Sequence, residues 1–146
     1  MYLRAWWARD FFMKPTSGDF ETREGYRPII KGYFLHIPDA YDDFALGETK
    51  LPGLEVYRAA AAHCTAHIVY TSEPISAEAL NLWQIAVISV IEDARVETLA
   101  ASKLPWLKHL WTQSLTITAD QGNTEGDFLN RLARVLLDDS YHDDDP

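Results

Sequence analysis

Apolar positions recur with different periods along this chain, and the changes of period predict its elements. Between residues 26 and 37, Pro28, Ile29 and Ile30 precede Lys31-Gly32, and Tyr33, Phe34 and Ile37 follow it. Short apolar runs on either side of a glycine turn predict a small β-hairpin. Residues 38–53 read as a loop, punctuated by Gly47 and Pro52-Gly53. A helix is predicted over 54–70, where the run Ala59, Ala60, Ala61, Ala62 favours helix and lets a second helix come close. Residues 72–76 interrupt it, and Ser76 is placed to cap a second helix over 77–102. That helix is apolar nearly all round (Leu80, Leu82, Trp83, Ile85, Val87, Ile88, Val90, Ile91), the pattern of a helix buried in the middle of its domain.

Pro105 ends the second helix, and residues 106–111 start a short segment with Leu107 and Leu110 facing inward. Residues 115–123 combine a strand-like alternation with a turn. Thr124-Glu125-Gly126-Asp127 resembles a capping box and opens a last helix carrying Phe128, Leu129, Leu132, Val135 and Leu136. At the other end, Leu3, Trp6, Trp7 and Phe11 suit a short helix or an extended arm. With Phe12 they make a large aromatic surface that something must cover. The expected fold is mainly α with a small β-hairpin element (α+β), as one domain over residues 1–140 followed by an acidic, solvated tail at 141–146.

Composition narrows the function classes. A hydrophobic content of 47% with five tryptophans argues for a packed core and against disorder. A net charge of -9 disfavours nucleic acid and anionic membranes as partners and favours a basic surface. Cys64 is the one cysteine, which excludes an internal disulfide and a cysteine cage for zinc. No apolar run is long enough to span a membrane, and residues 1–12 lack the layout of a signal peptide, so a cytoplasmic location is expected.

The chemistry concentrates on the two long helices. His63 and His67 lie four apart, one turn along one helical face, a spacing that lets both imidazoles reach a single metal ion. On the second helix Glu92 shares an otherwise apolar line with Ile85, Ile88, Val96 and Leu99, while Asp93 and Glu97 occupy a more polar line. A carboxylate on an apolar line needs a partner, because burying it alone costs several kcal/mol. Two are available to Glu92: a metal held with His63 and His67, with Asp93 and Glu97 as alternative carboxylates, or Arg95 in an internal ion pair. His36, His109 and His142 lie apart and read as surface or capping residues, and Cys64 as a buried small side chain.

The layout is similar to zinc metallopeptidases, in which HExxH on one helix is completed by a Glu from a later one. Here the run reads His63-Cys64-Thr65-Ala66-His67, with Cys64 where the general base would stand. A metal-dependent hydrolase, or a metal-insertion factor, with a degenerate HxxxH…E site is therefore the alternative reading, and the missing base leans away from an enzyme. No catalytic residue is named. No nucleophile elbow, Walker loop or dinucleotide-binding glycine run occurs.

At YRAAAAHCTAHIVYT, IEDARVETLA and LPWLKHLW the chain resembles the NorD/CbbO family, and LRAWWARDFFMKPT, HIPDAYDD and LARVLLDDSYHDDDP extend the likeness over most of its length. The resemblance implies an activation factor for nitric oxide reductase or Rubisco, acting as an adaptor beside a hexameric MoxR-type AAA+ ATPase (NorQ or CbbQ) that remodels the target enzyme. Family members also carry a von Willebrand A domain with a D-x-S-x-S metal-adhesion motif, which is absent here, so the chain corresponds to the region before that domain. On this reading His63, His67 and Glu92, or the alternative carboxylates, hold a divalent metal (zinc or iron), and Arg95 and Cys64 stand next to the ligands and tune them.

Overall fold

The computed structural model describes residues 2–16, 28–32, 34–46, 49–73, 76–115 and 124–144. The chain is mainly helical with a small β component, and it divides into two compact units, Met1–Tyr70 and Thr71–Pro146.

The N-terminal unit opens with α1 (Tyr2–Trp7), which is followed by β1 (Phe12–Pro15), β2 (Ile29–Lys31) and β3 (Phe34–Ile37). The predicted hairpin is present: β2 pairs antiparallel with β3, and the turn uses Gly32 at φ 60. A positive φ there is accessible to glycine at no steric cost. What periodicity did not show is β1, which pairs in parallel with β3, Phe12 opposite Phe34, so that β3 is the central strand. Ala8 precedes this strand. It closes α1 by donating its N–H to the Arg4 carbonyl at 2.9 Å, with φ 51, a left-handed conformation that costs a non-glycine residue about 1–2 kcal/mol. The expected aromatic surface is largely covered within the unit. Trp6, Trp7 and Phe11 pack against a core of Leu3, Leu35, Ile37, Ala61 and Cys64, while Phe12 remains exposed.

The predicted loop at 38–53 contains a second hairpin, β4 (Phe44–Leu46) with β5 (Thr49–Leu51). Strands of three residues are too short to reveal an alternation, which is why the sequence reads as a loop. The Gly47 punctuation lies outside the described residues. α2 (Gly53–Tyr70) then runs as expected.

In the C-terminal unit α3 (Leu82–Lys103) starts later than predicted. Ser76 does not cap it. The Asn81 side chain accepts the Gln84 N–H at 2.8 Å, and Gln84 accepts the Asn81 N–H at 3.0 Å, a reciprocal capping box that starts the helix at Leu82. Nor is α3 buried all round: its buried residues are Ala94, Val96 and Ala100, and Leu82, Ile91 and Leu99 are exposed. Within the unit it packs on α4 (Trp106–Thr112) and α5 (Glu125–Leu137), two short helices that cannot enclose 22 residues. Leu107 and Leu110 do face inward, joined by Trp111.

α5 begins at the predicted capping box, with Thr124 and Asp127 bonded reciprocally. These bonds to Thr124 hold the Asp127 carboxyl below the usual carboxylate range. Its buried residues are Arg131 and Leu137, whereas Phe128, Val135 and Leu136 are exposed. The strand-like alternation at 116–119 and the turn after it lie outside the described residues. Among the described residues no helix is long and apolar enough to cross a membrane.

Candidate functional site

α2 carries the histidine pair. Its alanines keep the helix regular, and Thr65 returns its hydroxyl to the Ala61 carbonyl at 2.8 Å. Cys64, Thr65 and Ala66 are all buried, so His63 and His67 occupy the flanking, half-buried stripe. Their rings stand edge to face with centroids 4.8 Å apart, as predicted from the spacing of one turn. Two imidazoles this close can converge on one ion, each offering a single nitrogen.

One to two turns earlier on the same helix, Tyr57 stands edge-on to Tyr41, with ring centroids 6.2 Å apart. Burial, reinforced by Cys64 and then Tyr57, pushes the Tyr41 phenol up to about 12. Burial, with Asp39 adding to it, also raises Tyr57. The folded protein thus holds the Tyr41 proton more tightly than the unfolded chain, whose tyrosines titrate near 10. This contribution to stability is complete below pH 10 and is lost as pH rises through about 12. Urea unfolding at a series of alkaline pH values should therefore show wild type losing stability more steeply across that window than Tyr41→Phe.

The sequence placed Glu92, Asp93, Arg95 and Glu97 on one helix, and α3 carries all four. Glu92 has found the second of its two expected partners. Its carboxylate accepts Arg95 Nε at 2.6 Å and a second guanidinium N–H at 2.7 Å, together with the Thr71 hydroxyl at 2.7 Å. The hydrogen bonds that Arg95 donates to Glu92 raise its guanidinium further, against a smaller opposing effect of burial. The pair is not internal, however. The Arg95 side chain is 44% exposed, so solvent screens the interaction. Asp93 and Glu97 are half-buried one turn apart. Of the outlying histidines, His109 and His142 are exposed and His36 is half-buried in β3.

A polar network in the C-terminal unit had no sequence signal of its own. Arg131, buried on α5, donates from Nε to Asp143 at 2.7 Å and from a terminal nitrogen at 2.5 Å, and Tyr141 donates its hydroxyl to the same carboxylate at 2.9 Å. Arg134 lies 4.0 Å over the Tyr141 ring and pairs with Asp138 at 3.3 Å. Part of the acidic terminal run is thus folded onto α5 rather than simply solvated. In the sequence, Arg131 looks like an ordinary polar position between Leu129 and Leu132, and nothing distinguishes Asp143 from its acidic neighbours.

No family model, no curated protein and no solved structure matches this chain.

Proposed function

We propose that this chain is a non-enzymatic adaptor or scaffold domain of a NorD/CbbO-like activation factor. It works with a MoxR-type AAA+ ATPase of the NorQ/CbbQ kind to activate or remodel a target metalloenzyme or Rubisco, and it holds a divalent metal, zinc or iron. The observation that carries the metal part is the pairing of His63 and His67 on α2, with rings 4.8 Å apart. The third donor proposed is a carboxylate of the run at 92–97, Asp93 foremost. Two nitrogens and one carboxylate oxygen suit zinc and ferrous iron alike. Glu92 would have to give up its hydrogen bonds from Arg95 and Thr71 to join such a set. Glu97 remains an alternative.

The adaptor reading is preferred to a hydrolase or metal-insertion factor on one point. At the position where a peptidase keeps its general base stands Cys64, a buried thiol that points into the core cluster of its unit. The acidic character of the chain and its exposed apolar side chains support docking on other proteins.

Metal analysis by plasma mass spectrometry tests this directly. Near-stoichiometric zinc or iron is expected in the wild-type protein, lost in His63→Ala/His67→Ala and reduced in Asp93→Asn, but retained in Glu92→Gln. Absence of metal even after reconstitution with zinc or ferrous iron would reject the site. Metal-dependent peptide hydrolysis abolished by His67→Ala would reject the adaptor reading.

A further inference from the structure

The charge of this chain is unevenly divided. Residues 1–70 carry 8 Lys and Arg against 9 Asp and Glu, whereas residues 71–146 carry 5 against 13. Four of those five basic side chains are engaged by acids of the same unit: Arg95 by Glu92, Lys108 by Asp139, Arg131 by Asp143 and Arg134 by Asp138. The C-terminal unit is left with a strong excess of negative charge and little local cation to offset it.

The same unit exposes apolar side chains that touch one another. Trp83, on the first turn of α3, meets Phe128 of α5 with ring centroids 5.7 Å apart, yet they are 40% and 47% exposed. Leu82, next to Trp83, is 85% exposed. Along α5, Val135 is exposed two turns from Phe128 and on the same side of the helix. Carboxylates lie close to these residues in the chain. Glu125 and Asp127 lie in the same first turn of α5 as Phe128, and Glu78 is exposed four residues before Leu82. Asp127 keeps its charge well into the acid range, because Thr124 stabilises the ionised form.

An isolated exposed leucine carries no message, but an exposed aromatic pair with carboxylates close by in the chain, in a unit of strong negative charge, defines a ligand chemistry. From it we infer that the Trp83–Phe128 face binds a basic amphipathic segment of a partner protein. Apolar side chains of that segment cover Leu82, Trp83 and Phe128, and its lysines or arginines meet Glu78, Glu125 and Asp127. Long-range attraction speeds the encounter and repels nucleic acid and anionic lipid, and burial of the aromatic pair supplies the specific contact. This inference rests on the adaptor reading, whose partner class it names.

The test titrates the full chain with a synthetic Lys/Leu amphipathic peptide, following tryptophan emission and, in parallel, calorimetry. Binding should blue-shift the emission, and the shift should be missing in Trp83→Phe while calorimetry still reports binding. Affinity should fall at least about tenfold in Phe128→Ser and in Glu78→Lys/Glu125→Lys, and it should weaken with added salt, since exposed charges are screened beyond about 8 Å at physiological ionic strength. These positions are exposed, so circular dichroism should find the variants folded. Equal affinity for a Glu/Leu peptide of the same pattern, or wild-type affinity in Phe128→Ser, would overturn the inference. So would sedimentation showing a dimer that Phe128→Ser dissociates, which would make the occupant a second copy. Absence of peptide binding to the wild-type chain with its metal content intact would count against this face alone, and metal-dependent peptidase turnover against the adaptor reading.

Discussion

Gly53→Ala is expected to destabilise the N-terminal unit by about 3 kcal/mol or more, the upper range for overpacking a site that cannot yield. A Cβ built at Gly53 would lie 1.9 Å from the Tyr41 carbonyl oxygen and 2.8 Å from its carbon. Both atoms are backbone, so no side-chain rotation relieves the clash. Moving the Tyr41 segment would also pull on the bond from the Gly53 N–H to Asp43 Oδ1 at 2.8 Å, which satisfies one of the unpaired donors at the start of α2. It would disturb Tyr41 where it packs against the core cluster. Hydrogen exchange of the α2 amides should rise sharply in this variant. Gly126→Ala serves as the control: its new Cβ would approach nothing closer than 3.7 Å, an ordinary contact. Unaltered α2 protection in Gly53→Ala would mean that Tyr41 and Gly53 are not held together as described.

The second large effect is expected at Asp143, and its size depends on which partner is removed. The Arg131 side chain is only 9% exposed and is fixed to α5, so it cannot readily reach water. Asp143→Ala strands that guanidinium and should cost about 3 kcal/mol, the lower end for breaking a buried pair. Arg131→Met leaves the opposite situation. Asp143 belongs to residues 141–144, which form no helix or strand, so its carboxylate can turn outward while methionine fills the space on α5. That variant should lose markedly less stability. Chemical denaturation of both, read by far-ultraviolet circular dichroism, checks the order. Equal losses, or a larger loss in Arg131→Met, would show that the carboxylate is the trapped partner.

Much of the helical scaffold was legible because it rests on local rules. The alanine run specified α2, and Thr124 with Asp127 marked the start of α5 by a side chain-to-backbone exchange that depends on four consecutive residues. The histidine pair was equally legible, since a spacing of four on a helix brings two rings together whatever surrounds them. The start of α3 was open to the same reasoning, because Asn81 and Gln84 form a box of the same kind. Ser76 drew attention away from it, being the nearer capping residue to the end of α2.

Other features were settled by tertiary packing. Glu92 had two candidate partners, and beside the local pair with Arg95 its carboxylate accepts the Thr71 hydroxyl, which comes from outside the helix. β1 pairs with β3 and follows Ala8 in a left-handed conformation, one that the alanine side chain does not favour and no sequence rule announces. The apolar α3 exposes Leu82 and Ile91 because the helices it meets in its own unit are too few and too short to cover every side of it. The sequence by itself determined the helices α2, α3 and α5, the hairpin around Gly32 and the juxtaposition of His63 with His67, since each depends on atoms within a few residues. The tertiary structure alone decided which apolar faces are covered and that Arg131 is buried against Asp143, since burial and long-range pairing depend on what arrives from elsewhere in the chain.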